Sequence, residues 1–240
     1  MWFAQSEKLV ETMPAEVFTN ATAYMREEAG RGLPRWVDVV VAFLCLVIAT
    51  PVLLLCGLAV LLSSGLPILF RQTRVGQNGK KFELYKLRTM RPSGTGPQVT
   101  SANDTRITTV GKFLRFSKLD ELPTFWNVLR GDMSLVGPRP EVPRYVDPEN
   151  PLWSKVLSVR PGLTDPVTLS LRNEATLLAT VEGDAEEFYL QKLQPKKLLG
   201  YVEYLDHRSS SNDARVLFLT LLAIIQPARR IDFPIIDSQK

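Results

Sequence analysis

The chain has 240 residues, 45% of them hydrophobic and 22% charged, with a formal net charge of +4, one histidine and two cysteines. That length suits one sizeable domain with an appendage, while the lone His207 and the pair Cys45 and Cys56 argue against a His-based triad, a multi-histidine metal site or a cysteine metal cluster. The basic balance, with a pI near 9.1, suits anionic lipid headgroups or phosphorylated substrates; acids are interleaved with the bases and no binding signature is present, which argues against nucleic acid.

The first 35 residues mix Phe3, Val10, Met13, Val17 and Phe18 with Glu and Lys, a composition open to an interfacial amphipathic helix or a disordered extension. From Trp36 to Leu62, WVDVVVAFLCLVIATPVLLLCGLAVLL carries a single charge, Asp38, and is long enough to reach across or deep into a bilayer. The run starts too late and is too long for a cleaved signal peptide, so it is expected to anchor the mature protein. Cys45 and Cys56 would lie roughly 16 Å apart along a straight helix, too far for a disulfide.

Pro51 removes a backbone hydrogen bond near the middle of the run, and Thr50 offers a hydroxyl to a freed carbonyl, so a bend is expected there. Arg31 and Arg35 precede the run, and Arg71, Arg74, Lys80 and Lys81 follow it. Positive charge on both flanks suits two ends on the cytoplasmic side, as in a re-entrant helix; a kinked spanning helix is the alternative.

Asn78-Gly79 between two segments of strand-like composition predicts a β-hairpin. The two-residue period puts Lys86 and Arg88 on one face of its second strand, either as exposed cations or as a phosphate grip. Arg91 to Asn103, RPSGTGPQVTSAN, reads as a loop that serves as linker or lid. Val110, Phe113 and Leu114 recur at helical spacing over 108–116, with Arg115 beside them.

Pro123 is placed to open a helix through Phe125, Trp126, Val128 and Leu129, with Gly131 as its stop. Asp120 and Glu121 stand just before it, where free amides and the helix dipole favour negative charge, so helix capping is the plainer reading. The same place attracts phosphate, and adjacent carboxylates can share a divalent cation with phosphate oxygens. Pro138-Arg139-Pro140 holds one guanidinium in a rigid loop suited to bidentate phosphate binding. Farther on, Val216 to Gln226 is too short to span a bilayer and ends at Pro227; it is expected to be buried, with an interfacial position as the alternative.

The chain resembles the bacterial sugar transferase family, the small monotopic phosphoglycosyl transferases, over about Arg35 to Thr220. The likeness rests on the apolar segment with its central proline, on YKLRTM, on DTRITTVGKFLRFSKLDELPTFWNVLRGDMSLVGPRP, and on RPGLT at Arg160 to Thr164. It implies an α+β, mainly helical fold: a re-entrant helix over 36–66 bent at Thr50-Pro51, an N-terminal extension over 1–35, and interfacial helices planting a small hairpin-containing catalytic unit, 67–240, on the cytoplasmic face of the bacterial inner membrane. It also implies transfer of a sugar 1-phosphate from a UDP-sugar to undecaprenyl phosphate among membrane lipids, releasing UMP, with Mg²⁺ at Asp120 and Glu121.

In that reading Asp120 attacks the β-phosphorus to give a phosphosugar ester, Glu121 assists, and Lys86, Arg88, Arg115, Pro138, Arg139 and Pro140 bind substrate. A carboxylate nucleophile lets a soluble donor and a lipid acceptor use one centre in turn, and cations around it neutralise phosphate charge. Two positions depart from the family pattern: Asp165-Pro166 where Gly and an aromatic are usual, and Tyr201 where an acid is usual. A catalytically silent membrane scaffold and a nucleotide-sugar hydrolase are the competing classes. The sugar, the glycan pathway and a homodimeric state are not legible.

Overall fold

A computed structural model describes residues 29–91, 104–181 and 183–226. The N-terminal extension up to residue 28, most of the loop expected as linker or lid, and Pro227 lie outside the described residues.

The first element, α1 (Arg35–Ser64), takes in the whole apolar run and passes through Thr50-Pro51 as one element. The Thr50 hydroxyl donates to the Leu46 carbonyl at 2.8 Å, one turn back from Thr50 itself, whereas the carbonyl deprived of a partner by Pro51 is that of Val47. Most of the middle of α1 is exposed apolar surface, including Phe43, Leu44, Val47, Ile48, Leu54 and Leu55. By length and composition it is a helix able to cross a membrane. The single charge within the apolar run does not face outward: Asp38 is 2% exposed and accepts from the Leu135 amide at 3.0 Å.

Strands β1 (Leu69–Val75) and β2 (Lys81–Leu87) pair antiparallel as the hairpin expected around Asn78-Gly79. Asn78 and Gly79 both take positive φ, 56° and 73°, the backbone that this dipeptide tolerates. Helix α2 (Thr109–Phe116) starts at Thr108, whose side chain accepts from the Gly111 amide. A 3₁₀ turn, Leu119–Glu121, then leads into α3 (Thr124–Arg130), which stops at Gly131 in the left-handed region.

Two short parallel strands, β3 (Ser134–Val136) and β4 (Gly162–Thr164), flank α4 (Pro151–Leu157) in sequence. The remainder is helical: α5 (Pro166–Ser170), α6 (Glu174–Ala179), α7 (Ala185–Phe188), a π turn at Tyr189–Leu193, α8 (Gln194–Asp206) and α9 (Ser210–Ile225). The fold is thus mainly helical with two small sheets, as an α+β reading requires.

The main core joins Ala42 of α1 to Leu84 of β2, Val128 of α3, Met133, Leu135 and Val136 around β3, and Tyr204, Leu205 and Val216. A second cluster packs Cys56 and Val60, late in α1, against Leu87 and Leu114. Both ends of the apolar helix are therefore built into the body that carries Asp120. Helix α9 corrects an expectation: Val216 is buried, but Phe218, Leu221, Ile224 and Ile225 are 52–73% exposed. One narrow stripe of α9 suffices to close the core, which leaves the opposite apolar face to meet something other than water.

Candidate active site

Strand β2 supplies the floor. Its outer edge is not left open, because Asn127 on α3, fully buried, accepts from the Tyr85 amide (3.1 Å) and donates to the Glu83 carbonyl (2.6 Å). Thr124 adds a hydroxyl bond to the Tyr85 carbonyl at 2.9 Å. These polar contacts to β2 fix the preceding 3₁₀ turn against Lys86. Neither Asp120 nor Glu121 caps α3, which has no side-chain cap. The capping reading of the acid pair therefore fails.

The two acids meet different surroundings. Glu121 is clamped: Lys86 Nζ lies 2.7 Å from its Oε1, and Arg139 Nη2 donates to the same oxygen at 2.5 Å. Burial alone would push its carboxyl up, yet Arg139 and Lys86 outweigh burial and hold it well below the usual carboxylate range. Asp120, 8% exposed, accepts no hydrogen bond from the described residues. Burial raises its pKa, and the adjacent Glu121 charge raises it further, against Lys86, Arg115 and Lys118. The result is an unclamped carboxylate of enhanced basicity beside an ionised, immobilised one.

Arg139 owes its position to its neighbours. Pro138 and Pro140 are buried, the Pro138 carbonyl accepts from the Gly162 amide at 2.9 Å, and the Gly137 amide donates to Thr164 at 3.0 Å. A side chain at Gly162 would meet the Gly137 amide nitrogen at 2.1 Å, so only glycine lets β4 come this close to the loop. On the other side, Arg74 Nη1 donates to the Pro140 carbonyl (3.0 Å) and pairs with Glu141 (3.3 Å). Tyr189 also donates to the Glu141 carboxylate. The loop is thus pinned between β1 and the helical half.

Of the residues expected to bind substrate, the structure brings Lys86, Arg139 and its two prolines to the acid pair. Arg115 is tied nearby, donating through Nε to the Thr89 hydroxyl (2.8 Å) and through Nη2 to the Met90 sulfur (3.1 Å). Arg88 goes elsewhere: it lies one residue past the end of β2, is 5% exposed, and donates to the carbonyls of Ser64 and Gly65 (each 2.6 Å) and Leu66 (2.9 Å). Lys86 and Arg88 therefore do not form one phosphate grip. Thr124, Asn127 and Glu141 escaped the sequence reading, and Arg74 entered it only as flanking charge. Only Glu141, directly after Pro140, carried a positional hint.

The two departures from the family pattern are buried. Asp165 is fully buried and caps α5, accepting from the Thr168 amide (2.8 Å) and hydroxyl (2.5 Å); burial pushes its carboxyl up. Tyr201 packs with Trp153, Val167 and Leu198. Asp165 lies close enough to Arg139 to favour the charged guanidinium when ionised, whereas burial pushes the Tyr201 phenol well above its ordinary range and leaves it uncharged.

No group of three or more potential metal ligands occurs among the described residues. The donor set nevertheless fits a magnesium ion, which takes one or two protein carboxylates and completes its shell with phosphate and water oxygens. Asp120 has its oxygens free for that purpose, and the Glu121 oxygen not bonded by Lys86 carries only a long bond from Arg139 Nη1, at 3.5 Å.

The family model described as bacterial sugar transferase matches residues 30–227. A UDP-glucose:undecaprenyl-phosphate glucose-1-phosphate transferase of Caulobacter vibrioides is 38% identical over 196 residues, covering 80% of this chain and 69% of that protein. One of the same description from Escherichia coli is 39% identical over 197 residues, 80% of this chain and 40% of its own length. A UDP-N-acetylgalactosamine-undecaprenyl-phosphate N-acetylgalactosaminephosphotransferase of Aeromonas hydrophila is 39% identical over 137 residues, 55% of this chain and 32% of its own. The chain thus spans well under half the length of the latter two.

Proposed function

The chain belongs to the bacterial sugar transferase family, and from that premise we propose that it transfers a sugar 1-phosphate from a UDP-sugar to undecaprenyl phosphate at the cytoplasmic face of the bacterial inner membrane. The relatives named above carry out such transfers with glucose or N-acetylgalactosamine donors by their descriptions. The reading rests most on one observation: Asp120 is a buried carboxylate bonded to no described residue, next to a Glu121 fixed by two cations.

In the first half-reaction an Asp120 carboxylate oxygen attacks the β-phosphorus, and the bond from that phosphorus to the bridging oxygen of UMP breaks. A phosphate oxygen of the polyprenol then attacks the same phosphorus and returns the Asp120 carboxylate. Splitting the transfer lets donor and acceptor occupy one centre in succession. Lys86, Arg139 and Arg115 neutralise phosphate charge as it shifts towards UMP. Magnesium, held by Asp120, Glu121 and the donor phosphates when bound, supplies further charge neutralisation of the same kind.

Re-entry of α1 belongs to this proposal. It is supported by the attachment of both ends of the helix to the catalytic body, through Arg35 bonding carbonyls around α3 and Arg88 bonding those of Ser64 and Gly65. An acceptor whose phosphate stays at the interface needs a site held at that depth.

The experiment is a panel of UDP-sugars without lipid acceptor, followed by intact-mass and peptide analysis. One sugar should release UMP and leave a phosphosugar adduct on Asp120, and Asp120→Asn should do neither. Turnover with undecaprenyl phosphate but without any adduct would show that the covalent route is wrong. Unchanged glycan initiation in cells carrying Asp120→Asn would favour the silent scaffold instead.

A further inference from the structure

Where α1 leaves the catalytic body there is a cavity of about 170 Å³. It is separate from the acid pair: neither Asp120 nor Glu121, nor Lys86 or Arg139, lines it. Its wall carries three guanidinium groups, Arg35, Arg160 and Arg208, against one carboxylate, Asp38. That carboxylate is already engaged by the Leu135 amide (3.0 Å) and by Arg35 Nη1 (3.4 Å).

Two of the three cations are fixed. Arg208 is held by Asp213 (3.1 Å) and by the Val136 carbonyl (2.8 Å). Arg35 donates to the carbonyls of Val128, Leu129 and Met133, the last two at 3.2 and 3.1 Å. Arg160 differs. It is exposed, its Nε donates to the Gly131 carbonyl at 3.2 Å, and both terminal nitrogens lack a partner among the described residues. Ser134, 9% exposed and also on the wall, has a hydroxyl bonded to no described residue. The 30-residue α1 opens at this wall with no side chain capping its first turn. Rigid guanidinium groups, a free hydroxyl and the one positive charge, on Arg160, that neither Asp38 nor Asp213 offsets together suit a phosphate group.

The surroundings indicate where such a phosphate would come from. Trp36, next to Arg35, is 67% exposed, and exposed Val39 and Val40 follow it along α1. An exposed tryptophan at the start of an apolar face marks headgroup depth. We propose that this cavity is a second anion site, which takes the phosphate of an anionic phospholipid headgroup or, in solution, free phosphate. It would set the depth at which α1 is rooted. The headgroup source rests on α1 lying in the bilayer; the binding of phosphate does not.

The test uses the full chain in neutral detergent. Its melting temperature is followed during titration with short-chain phosphatidylglycerol, with phosphatidylcholine as the neutral control, and separately with inorganic phosphate against chloride at equal ionic strength. Phosphatidylglycerol should raise the melting temperature where phosphatidylcholine does not. Arg160→Ala should weaken the apparent affinity about tenfold or more yet melt close to the unsubstituted protein without anion, since it gives up one exposed hydrogen bond. Arg160→Lys keeps the charge without the fork and should fall between. Arg144→Ala, an exposed arginine outside the cavity, should respond like the unsubstituted chain. A response to phosphate alone makes the free anion the ligand, and a response to phosphatidylglycerol alone makes it the headgroup. No response to either, or an undiminished response in both Arg160 variants, overturns the site. UDP-sugar enters neither arm, so failure here and failure of the transferase reading remain distinct.

Discussion

Asp120 and Glu121 are covalent neighbours with opposite electrostatic situations, and stability should register the difference. Glu121 titrates well below its unfolded value of 4.5 because Arg139 and Lys86 outweigh its burial. Its ionised form therefore stabilises the fold above that value, and the contribution is lost as pH falls through the folded pKa. Glu121→Gln should destabilise the protein near neutral pH by about 2 kcal/mol, since two half-buried cations lose their counter-charge, and the deficit should vanish on acidification. Asp120 is shifted the other way, raised from 3.8 by burial first and Glu121 second. Its stabilising protonated form is present below 3.8 and lost as pH rises through the folded pKa, so Asp120→Asn should be more stable than the natural chain near neutral pH while inactive. Melting curves of both variants across the acid range check the two signs. Equal responses from both would mean that the acids share one environment.

At the scale of elements, Arg88 joins the end of α1 to β2 by holding the last carbonyl of the helix, that of Ser64, and those of Gly65 and Leu66 just beyond it. Arg88→Ala should cost on the order of 3 kcal/mol, from several charged hydrogen bonds made by a buried guanidinium, and it should expose the Ser64–Leu66 segment to protease. Melting in detergent and limited proteolysis read this directly. An unaltered melt with a raised KM for the donor would return Arg88 to substrate binding. The error over Arg88 shows what the sequence could convey. The hairpin, α2, α3 and the stop at Gly131 were legible because turn residues, periodicity and caps act over a few positions. The proximity of Lys86, Glu121 and Arg139 came only through family likeness, because it depends on contacts far apart in the chain. A two-residue period placed Lys86 and Arg88 on one face, but the strand ends at Leu87 and the rule ends with it. Asn127 and Thr124 gave no signal at all, since ordinary polar side chains become structural only when a strand edge is laid against them.

For the molecule as a whole, the exposed apolar surface is too extensive to face water. It includes the middle of α1, Phe113 and Phe116 on α2, Trp126 on α3, and Phe218, Leu221 and Ile225 on α9. Helices α2 and α3 flank the turn that carries Asp120, so their aromatic side chains would bring the acid pair to the lipid surface, as the proposed polyprenol phosphate acceptor demands. That arrangement separates the two readings of α1. A spanning helix would have to place Arg31 or the hairpin on the far face of the membrane, although Arg35 and Arg88 bind both ends of α1 to the same body. Single cysteines at Arg31 and Lys80, both exposed, in a chain with Cys45 and Cys56 replaced by alanine, should react with a membrane-impermeant maleimide only after the bacterial inner membrane is opened. Labelling of either position from the periplasm would replace re-entry with a span. It would also require the ends of α1 to part from the body in the membrane, a rearrangement that must break the Arg35 or the Arg88 contacts.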